Sequence, residues 1–313
     1  MNTYLYQVKY REYEEDLCAL ETKSLFGFAL KAKVFFSERL VNPSISPYIK
    51  NRLQIIYKFS KLEDIVEQIQ KDGLLAEDFF VKYVTLSKHD PYRKEGKGIS
   101  KKVGYVITGF PSFTDPMIVF GVTHYQGYWY FGVLEENNPA WREHNKKPYT
   151  YSSSIDMNVA KALLNIGTEG DISKRIVDPC CGIGTVLLEG HFAGYDICGW
   201  EINEKVADSA RANLAHFEYP ANVTTGDMTE IKDHYDVSIV DLPYGNFTLT
   251  TKANQRKILG HARRISKRVV VVSSVDIAEE LAFHALRILE HCSLVKRSNK
   301  QFVRHVWVCE SEA

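Results

Sequence analysis

Acidic residues, glycines and one proline-bearing tetrapeptide recur between Ile176 and Tyr244 at spacings that suit chemistry on a nucleoside-bearing ligand and an amine. The turn Asp178-Pro179-Cys180-Cys181-Gly182-Ile183-Gly184-Thr185 ends a short apolar run. Lacking a Cβ, Gly182 and Gly184 let the backbone pass close to a ligand, and Thr185 opens a helical pattern whose N-terminal amides attract negative charge. A nicotinamide-binding turn carries a third small residue three places after its second glycine, where this chain has Leu187. Asp178 at the strand end suits instead the cationic amino-acid end of S-adenosylmethionine, met directly or through water. Glu201, about 20 residues on, suits a pair of ribose hydroxyls. Asp227, after Gly226, suits an adenine amine or equally a helix or turn cap. The candidate cofactor residues are Asp178, Pro179, Cys181, Gly182, Gly184, Thr185, Glu201, Ile202, Asp227 and Met228.

Asp241-Leu242-Pro243-Tyr244 follows the next apolar run and supplies the candidate catalytic residues. An aryl amine is a poor nucleophile because its lone pair is delocalised into the ring. A carboxylate at Asp241 and the main-chain carbonyl of Leu242 can each accept one N–H, which localises the lone pair and leaves Asp241 placed to take the proton. Pro243 stiffens the turn. Tyr244 offers a face for an extruded base, a stacking contact worth about 1–3 kcal/mol, with room left by Gly245. The order of the set predicts methylation of an amino group.

Such residues need a sheet whose strand ends converge. After residue 150, apolar β-branched runs at 175–179, 197–202, 223–225, 237–241 and 268–273 alternate with helical patterns at 156–166, 185–193, 204–217, 252–265 and 277–290. That alternation predicts a doubly wound α/β domain with a mostly parallel sheet. Two β-like runs, 292–296 and 302–309, flank a turn-prone segment and predict an antiparallel terminal hairpin. Before residue 135, strand-like runs at 4–10, 53–59, 79–86, 103–107, 117–123 and 128–134, with a helical pattern at 62–72, predict an α+β region. The aromatic run from His124 to Phe131 predicts a hairpin with one buried face. Residues 135–148 are polar, carry two prolines and lack apolar periodicity, as a linker does.

The chain has 313 residues, 45% hydrophobic and 25% charged, with no formal net charge. It can bury sizeable cores. No apolar run reaches the roughly 18 residues that cross a bilayer, and the polar N-terminus lacks a signal-peptide core, so the expectation is a cytoplasmic protein without a membrane partner. Six cysteines show no CxxC pair, and ten histidines show no HExxH pair, so no metal is expected. Charge is uneven: the first 150 residues are slightly basic and the rest slightly acidic. Seven cations and two acids fall between Lys82 and Lys102, and Lys94, Lys97, Lys101 and Lys102 are candidate RNA-binding residues.

On the cofactor turn, continuing to Leu188-Glu189, and on Asp241-Leu242-Pro243-Tyr244-Gly245, the chain resembles the THUMP-domain tRNA guanine-N2 methyltransferases. Residues 147–165 are similar to the helix that helps cover the cofactor in that family. Residues 101–132 are similar to its THUMP domain. The resemblance implies a ferredoxin-like domain at 1–60, a THUMP-like RNA-binding domain at 61–134, a linker at 135–150 and a Rossmann-like class I methyltransferase domain at 151–313. It also implies S-adenosylmethionine as cofactor, tRNA as partner and N2-methylguanosine as product. Some members need a small zinc-containing activator subunit. Many carry proline where Leu242 stands, and leucine there occurs in relatives acting on other tRNA guanines. Methylation of adenine N6 or of a glutamine amide is the competing enzymatic reading, although asparagine commonly opens the tetrapeptide in those enzymes. A catalytically silent RNA-binding module is the competing non-enzymatic one.

Overall fold

The structure is a computed structural model, and it describes residues 2–151, 154–243, 251–296 and 299–311. In chain order the elements are β1 (Tyr4–Val8), α1 (Glu15–Phe26), β2 (Val34–Ser37), β3 (Ile49–Phe59), α2 (Leu62–Asp72), β4 (Phe79–Tyr83), α3 (Gly96–Gly104), β5 (Ile118–Tyr125) and β6 (Tyr128–Glu136). There follow α4 (Met157–Thr168), β7 (Arg175–Asp178), α5 (Thr185–Ala193), β8 (Asp196–Glu201), α6 (Glu204–His216), β9 (Val223–Thr225), β10 (Tyr235–Asp241), α7 (Lys252–Ile265), β11 (Ser266–Ser273), α8 (Ala278–Phe283), β12 (Leu286–Lys296) and β13 (Asn299–Ser311). They form two compact units, one of residues 1–9, 31–44 and 48–137, the other of 10–30, 45–47 and 138–313.

The first unit is one mixed sheet, ordered β2-β1-β3-β6-β5-β4, with only the β4–β5 pair parallel. Its strands come from both segments expected to form the ferredoxin-like and THUMP-like domains. One core lies among α2, α3 and the sheet, where Ile65, Ile69, Ile99, Val103, Phe120 and Phe131 meet. The aromatic run forms the β5–β6 hairpin, but both faces are covered rather than the one expected, Trp129 and Phe131 being buried against α2 and α3 and Tyr130 in a second core, while Tyr128 stays exposed. The strand expected at 103–107 is not one, because Val103 belongs to α3. Gly96, Ile99 and Val103 are buried at intervals of three and four, a helical period that the short apolar run at 103–107 conceals.

The second unit holds the sheet β12-β13-β11-β10-β7-β8-β9, in which β13 runs antiparallel to both its neighbours and the other pairs are parallel. This is the doubly wound architecture with a terminal hairpin. β10 and β11 read as near-continuous apolar runs because helices cover both faces. On one face α7 and α8 bring Leu259, Ala262, Ile265, Ile277 and Leu281 against the strands. On the other, α4 packs between the sheet and α1, so nearly every α4 residue is buried. A Cβ at Gly167 would sit 2.6 Å from Val237 Cγ1, which shows how closely α4 approaches β10. The helix expected over 277–290 ends at Phe283, and β12 begins at Leu286 rather than at Cys292. Ala285, at φ +49°, breaks the helix, and pairing along β13 as far as Ser311 overrides the local helical pattern.

Candidate active site

Four acids stand at the C-terminal ends of four adjacent parallel strands. Glu201 is the last residue of β8, Asp178 of β7 and Asp241 of β10, while Asp227 lies two residues beyond β9. The chain runs outward from β7 to β8 and β9, then returns to the other side of β7 as β10. The crevice at that reversal is where open α/β sheets bind ligands.

Between β7 and α5, Gly182 (φ +53°) and Gly184 (φ +81°) take left-handed conformations that disfavour a side chain. The turn is tied to its neighbours by Cys181 N–H donating to Trp200 O (2.9 Å) and Gly182 N–H donating to Glu201 Oε2 (3.0 Å). Asn203 N–H donates to Glu201 Oε1 at 2.9 Å, so Glu201 is oriented from two sides. Asp178 is buried and accepts from Cys180 N–H at 3.2 Å. Burial, reinforced by the charges of Asp241 and Glu201, pushes its carboxyl well above the usual carboxylate range, and only the Cys180 amide opposes this. A cationic ligand would reverse that balance. Burial likewise raises the Cys180 and Cys181 thiols, so neither is set up as a nucleophile. The buried Thr185 hydroxyl at the start of α5 has no hydrogen-bond partner among the described residues.

Asp227 caps the 3-10 turn Met228–Glu230 through Thr229 N–H (2.9 Å) and pairs with Lys257 of α7 at 3.0 Å. The cap bond, helped by Lys257, holds its carboxyl below the ordinary range. Met228 is buried beneath it, whereas Ile202 is 70% exposed at the end of β8. Leu242 is buried, and its N–H donates to Val272 O at 2.9 Å, extending the β10–β11 ladder to the peptide that carries the expected acceptor carbonyl. Pro243 is half-buried; Tyr244 and Gly245 lie outside the described residues.

The structure adds Lys257 and Asn213, which no motif marks, and gives Glu189 of the cofactor motif its buried partners. Lys257 reaches Asp227 from a helix that follows the tetrapeptide. Asn213 is a buried amide on the alanine-lined inner face of α6, and a polar residue at such a position is the one signal the sequence offers. Under α5, Glu189 accepts from His144 Nδ1 (2.7 Å) and lies 3.7 Å from Lys161 Nζ, all three buried. Burial lowers the Lys161 ammonium to about 8, with Glu189 and then Glu21 opposing. The four candidate RNA-binding lysines are exposed and belong to the first unit. Lys102 pairs with Glu63 at 2.6 Å and Lys101 lies 5.4 Å from the centre of the Tyr105 ring. Among the described residues, no group of three or more His, Cys, Asp or Glu side chains is placed to hold a metal ion.

Residues 144–278 match the UPF0020 family, described as an RMKL-like methyltransferase domain. The chain is 28% identical over 119 residues to the tRNA (guanine(10)-N2)-dimethyltransferase of Methanothermobacter thermautotrophicus, covering 36% of this chain and 34% of that protein. It is 23% identical over 256 residues to the protein of the same name from Methanocaldococcus jannaschii, covering 68% and 72%. The similarity to the M. thermautotrophicus protein thus spans about a third of that relative's length. Among solved structures, TrmN from Thermus thermophilus is 15% identical with a TM-score of 0.48, covering 99% of this chain and 100% of that one. From residue 144 to residue 278, therefore, the chain is similar to the RMKL-like methyltransferase domains of the UPF0020 family.

Proposed function

We propose that this chain transfers a methyl group from S-adenosylmethionine to the exocyclic N2 amine of a guanosine in tRNA, giving N2-methylguanosine. The observation that carries this reading is the row of acids on adjacent strand ends beside the left-handed glycine turn. Among the described residues, buried Asp178 has no cation beside it and the Thr185 hydroxyl lacks a partner, so the donor set fits a ligand with one cationic end and several hydroxyls. Asp178, Pro179, Cys181 and the Gly182–Thr185 turn would hold the amino-acid end, Glu201 and Ile202 the ribose, and Asp227 and Met228 the adenine. When bound, S-adenosylmethionine supplies a methyl group made electrophilic by its sulfonium.

Everything else falls to the chain. The Asp241 carboxylate and the Leu242 carbonyl each accept one N–H of the target amine, which turns its lone pair out of the ring. As the new N–C bond forms, the S–CH3 bond would break and leave a neutral thioether, while the nitrogen becomes cationic and passes a proton to Asp241. Pro243 and Tyr244 complete the clamp, Tyr244 as the stacking face. The names of the curated relatives support guanine in tRNA as the substrate. Lys94, Lys97, Lys101 and Lys102 then bind phosphates, in a chain divided as 1–60 ferredoxin-like, 61–134 THUMP-like, 135–150 linker and 151–313 methyltransferase. No helix among the described residues is long and apolar enough to cross a membrane, in keeping with work on cytoplasmic tRNA, alone or with a small activator subunit.

The test is transfer of a labelled methyl group to bulk unmodified tRNA, followed by nucleoside mass analysis. N2-methylguanosine is expected, and Asp241→Ala should lower its formation by at least about 100-fold, the scale of a lost general base, while cofactor affinity changes little. N6-methyladenosine as product, or normal turnover in the variant, contradicts the assignment.

A further inference from the structure

Asn213 is fully buried on α6, and its carboxamide makes three hydrogen bonds to two other segments. Its Oδ1 accepts from Tyr149 N–H (2.9 Å), while Nδ2 donates to Tyr149 O (3.1 Å) and to Ile183 O (3.0 Å). Ile183 stands between the two left-handed glycines of the turn after β7. One side chain therefore joins the extended segment 147–151, the glycine turn and α6.

Each partner has reason to need the fastening. Residues 147–151 have no regular structure, and Tyr149 and Tyr151 are 49% and 55% exposed, so side-chain packing does little to hold the segment. A turn with glycine on both sides of Ile183 has little stiffness of its own. The helix, by contrast, is a firm platform. Asn203 caps it by accepting from Lys205 and Val206 N–H, and Arg211 reaches Val223 O at 2.8 Å. Ala207, Ala210 and Leu214 line the same buried face, so packing alone would be served by an apolar residue at position 213. A buried amide costs desolvation, which its three bonds offset.

We infer that Asn213 is a positioning residue for the cofactor pocket, fastening segment 147–151 to the Gly182–Gly184 turn so that both are in place when the ligand arrives. The inference rests on the cofactor reading above and adds a residue that touches neither ligand nor reacting atoms. Its amide sets where the Ile183 carbonyl points and where Tyr149 stands beside the turn.

The experiment compares the 313-residue chain with its Asn213→Asp and Asn213→Ala variants. The aspartate is nearly isosteric and still accepts from Tyr149 N–H, but it turns an oxygen toward two carbonyl oxygens; alanine removes all three bonds. S-adenosylmethionine affinity is measured by calorimetry, KM and kcat by methyl transfer, and the Tyr149 amide by hydrogen exchange. Losing two or three buried hydrogen bonds should raise Kd and KM for the cofactor by about tenfold or more, with kcat at saturation within about threefold. Tyr149 N–H should exchange faster in the alanine variant. In the unaltered chain, saturating cofactor should slow that exchange, a result that stands even where a variant fails to fold. Unchanged affinity in both variants, with only a lower melting temperature, would make Asn213 structural and overturn the inference alone. An unaltered chain that does not bind S-adenosylmethionine would overturn the cofactor reading and this inference together.

Discussion

Under the proposed function, Asp178 trades stability for binding. Its carboxyl is buried beside two other acids and has only the Cys180 amide to favour ionisation. Because its pKa is raised on folding, its contribution to stability is full below the ordinary carboxylate value and is lost as pH rises through the folded value. Asp178→Asn should therefore raise the melting temperature of the ligand-free chain at neutral pH by a few degrees, with the gain vanishing near pH 4 and below. The same change should weaken S-adenosylmethionine by about tenfold, the scale of a lost charge-assisted hydrogen bond. Scanning calorimetry across pH, with and without the cofactor, checks both halves. A variant less stable at pH 7 without ligand would show that Asp178 is ionised and paired there. The motif residues were visible in the sequence because the proposed chemistry demands particular types at short spacings. Asp227 is the instructive mixture, since its cap on Thr229 is local while its pairing with Lys257 spans 30 residues.

At the scale of elements, α1 is the surprise. Nothing in its sequence ties it to the seven-stranded sheet, yet it covers α4 through a buried polar contact. Glu21 accepts from Ser46 Oγ (2.6 Å) and from Asn165 Nδ2 (2.6 Å). Burial raises the Glu21 carboxyl from 4.5 to about 7, with the Ser46 and Asn165 bonds opposing. The folded chain therefore holds a proton that the unfolded chain releases, and stability should fall as pH rises from about 4.5 to about 7, then level off. Glu21→Gln should flatten that part of the profile, as thermal melts at half-unit pH intervals would reveal. A slope identical to that of the unaltered chain would mean that Glu21 is ionised throughout. The same contact explains a limit of sequence reading: α4 is buried nearly all round because a distant helix covers its outer face. Val103 and Leu286 show the complementary limit, where short apolar runs are compatible with helix and strand until their neighbours decide.

Across the whole molecule, acids line the strand ends of one unit while exposed lysines mark the other. If Lys94, Lys97 and Lys101 contact phosphate, replacing all three by glutamate should weaken tRNA binding and make the slope of log affinity against log salt shallower by about 2–3. Filter binding at several salt concentrations measures this. An unaltered slope would make the stretch an ordinary solvated surface. The proposed catalytic residues lie in the second unit and should be unaffected, so methyl transfer to a short unstructured guanosine oligomer should proceed in the charge-reversed chain about as it does in the unaltered one.

What the amino-acid sequence determined by itself was whatever depends on near neighbours along the chain. The glycine turn, the acids at strand ends, the alternation of strands and helices and the terminal hairpin all follow from residue type, period and short spacing, because backbone sterics and strand pleat act locally. Tertiary structure alone decided the rest. It joined strands from residues 4–59 and 79–136 into one sheet, gave α1 to the second unit, turned residues 139–146 into a 3-10 helix that buries Trp141 and His144, and made Asn213 a fastening between segments 30 and 64 residues away. Those outcomes depend on which surfaces meet in space, and burial, hydrogen-bond geometry and mutual charge exist only once they have met.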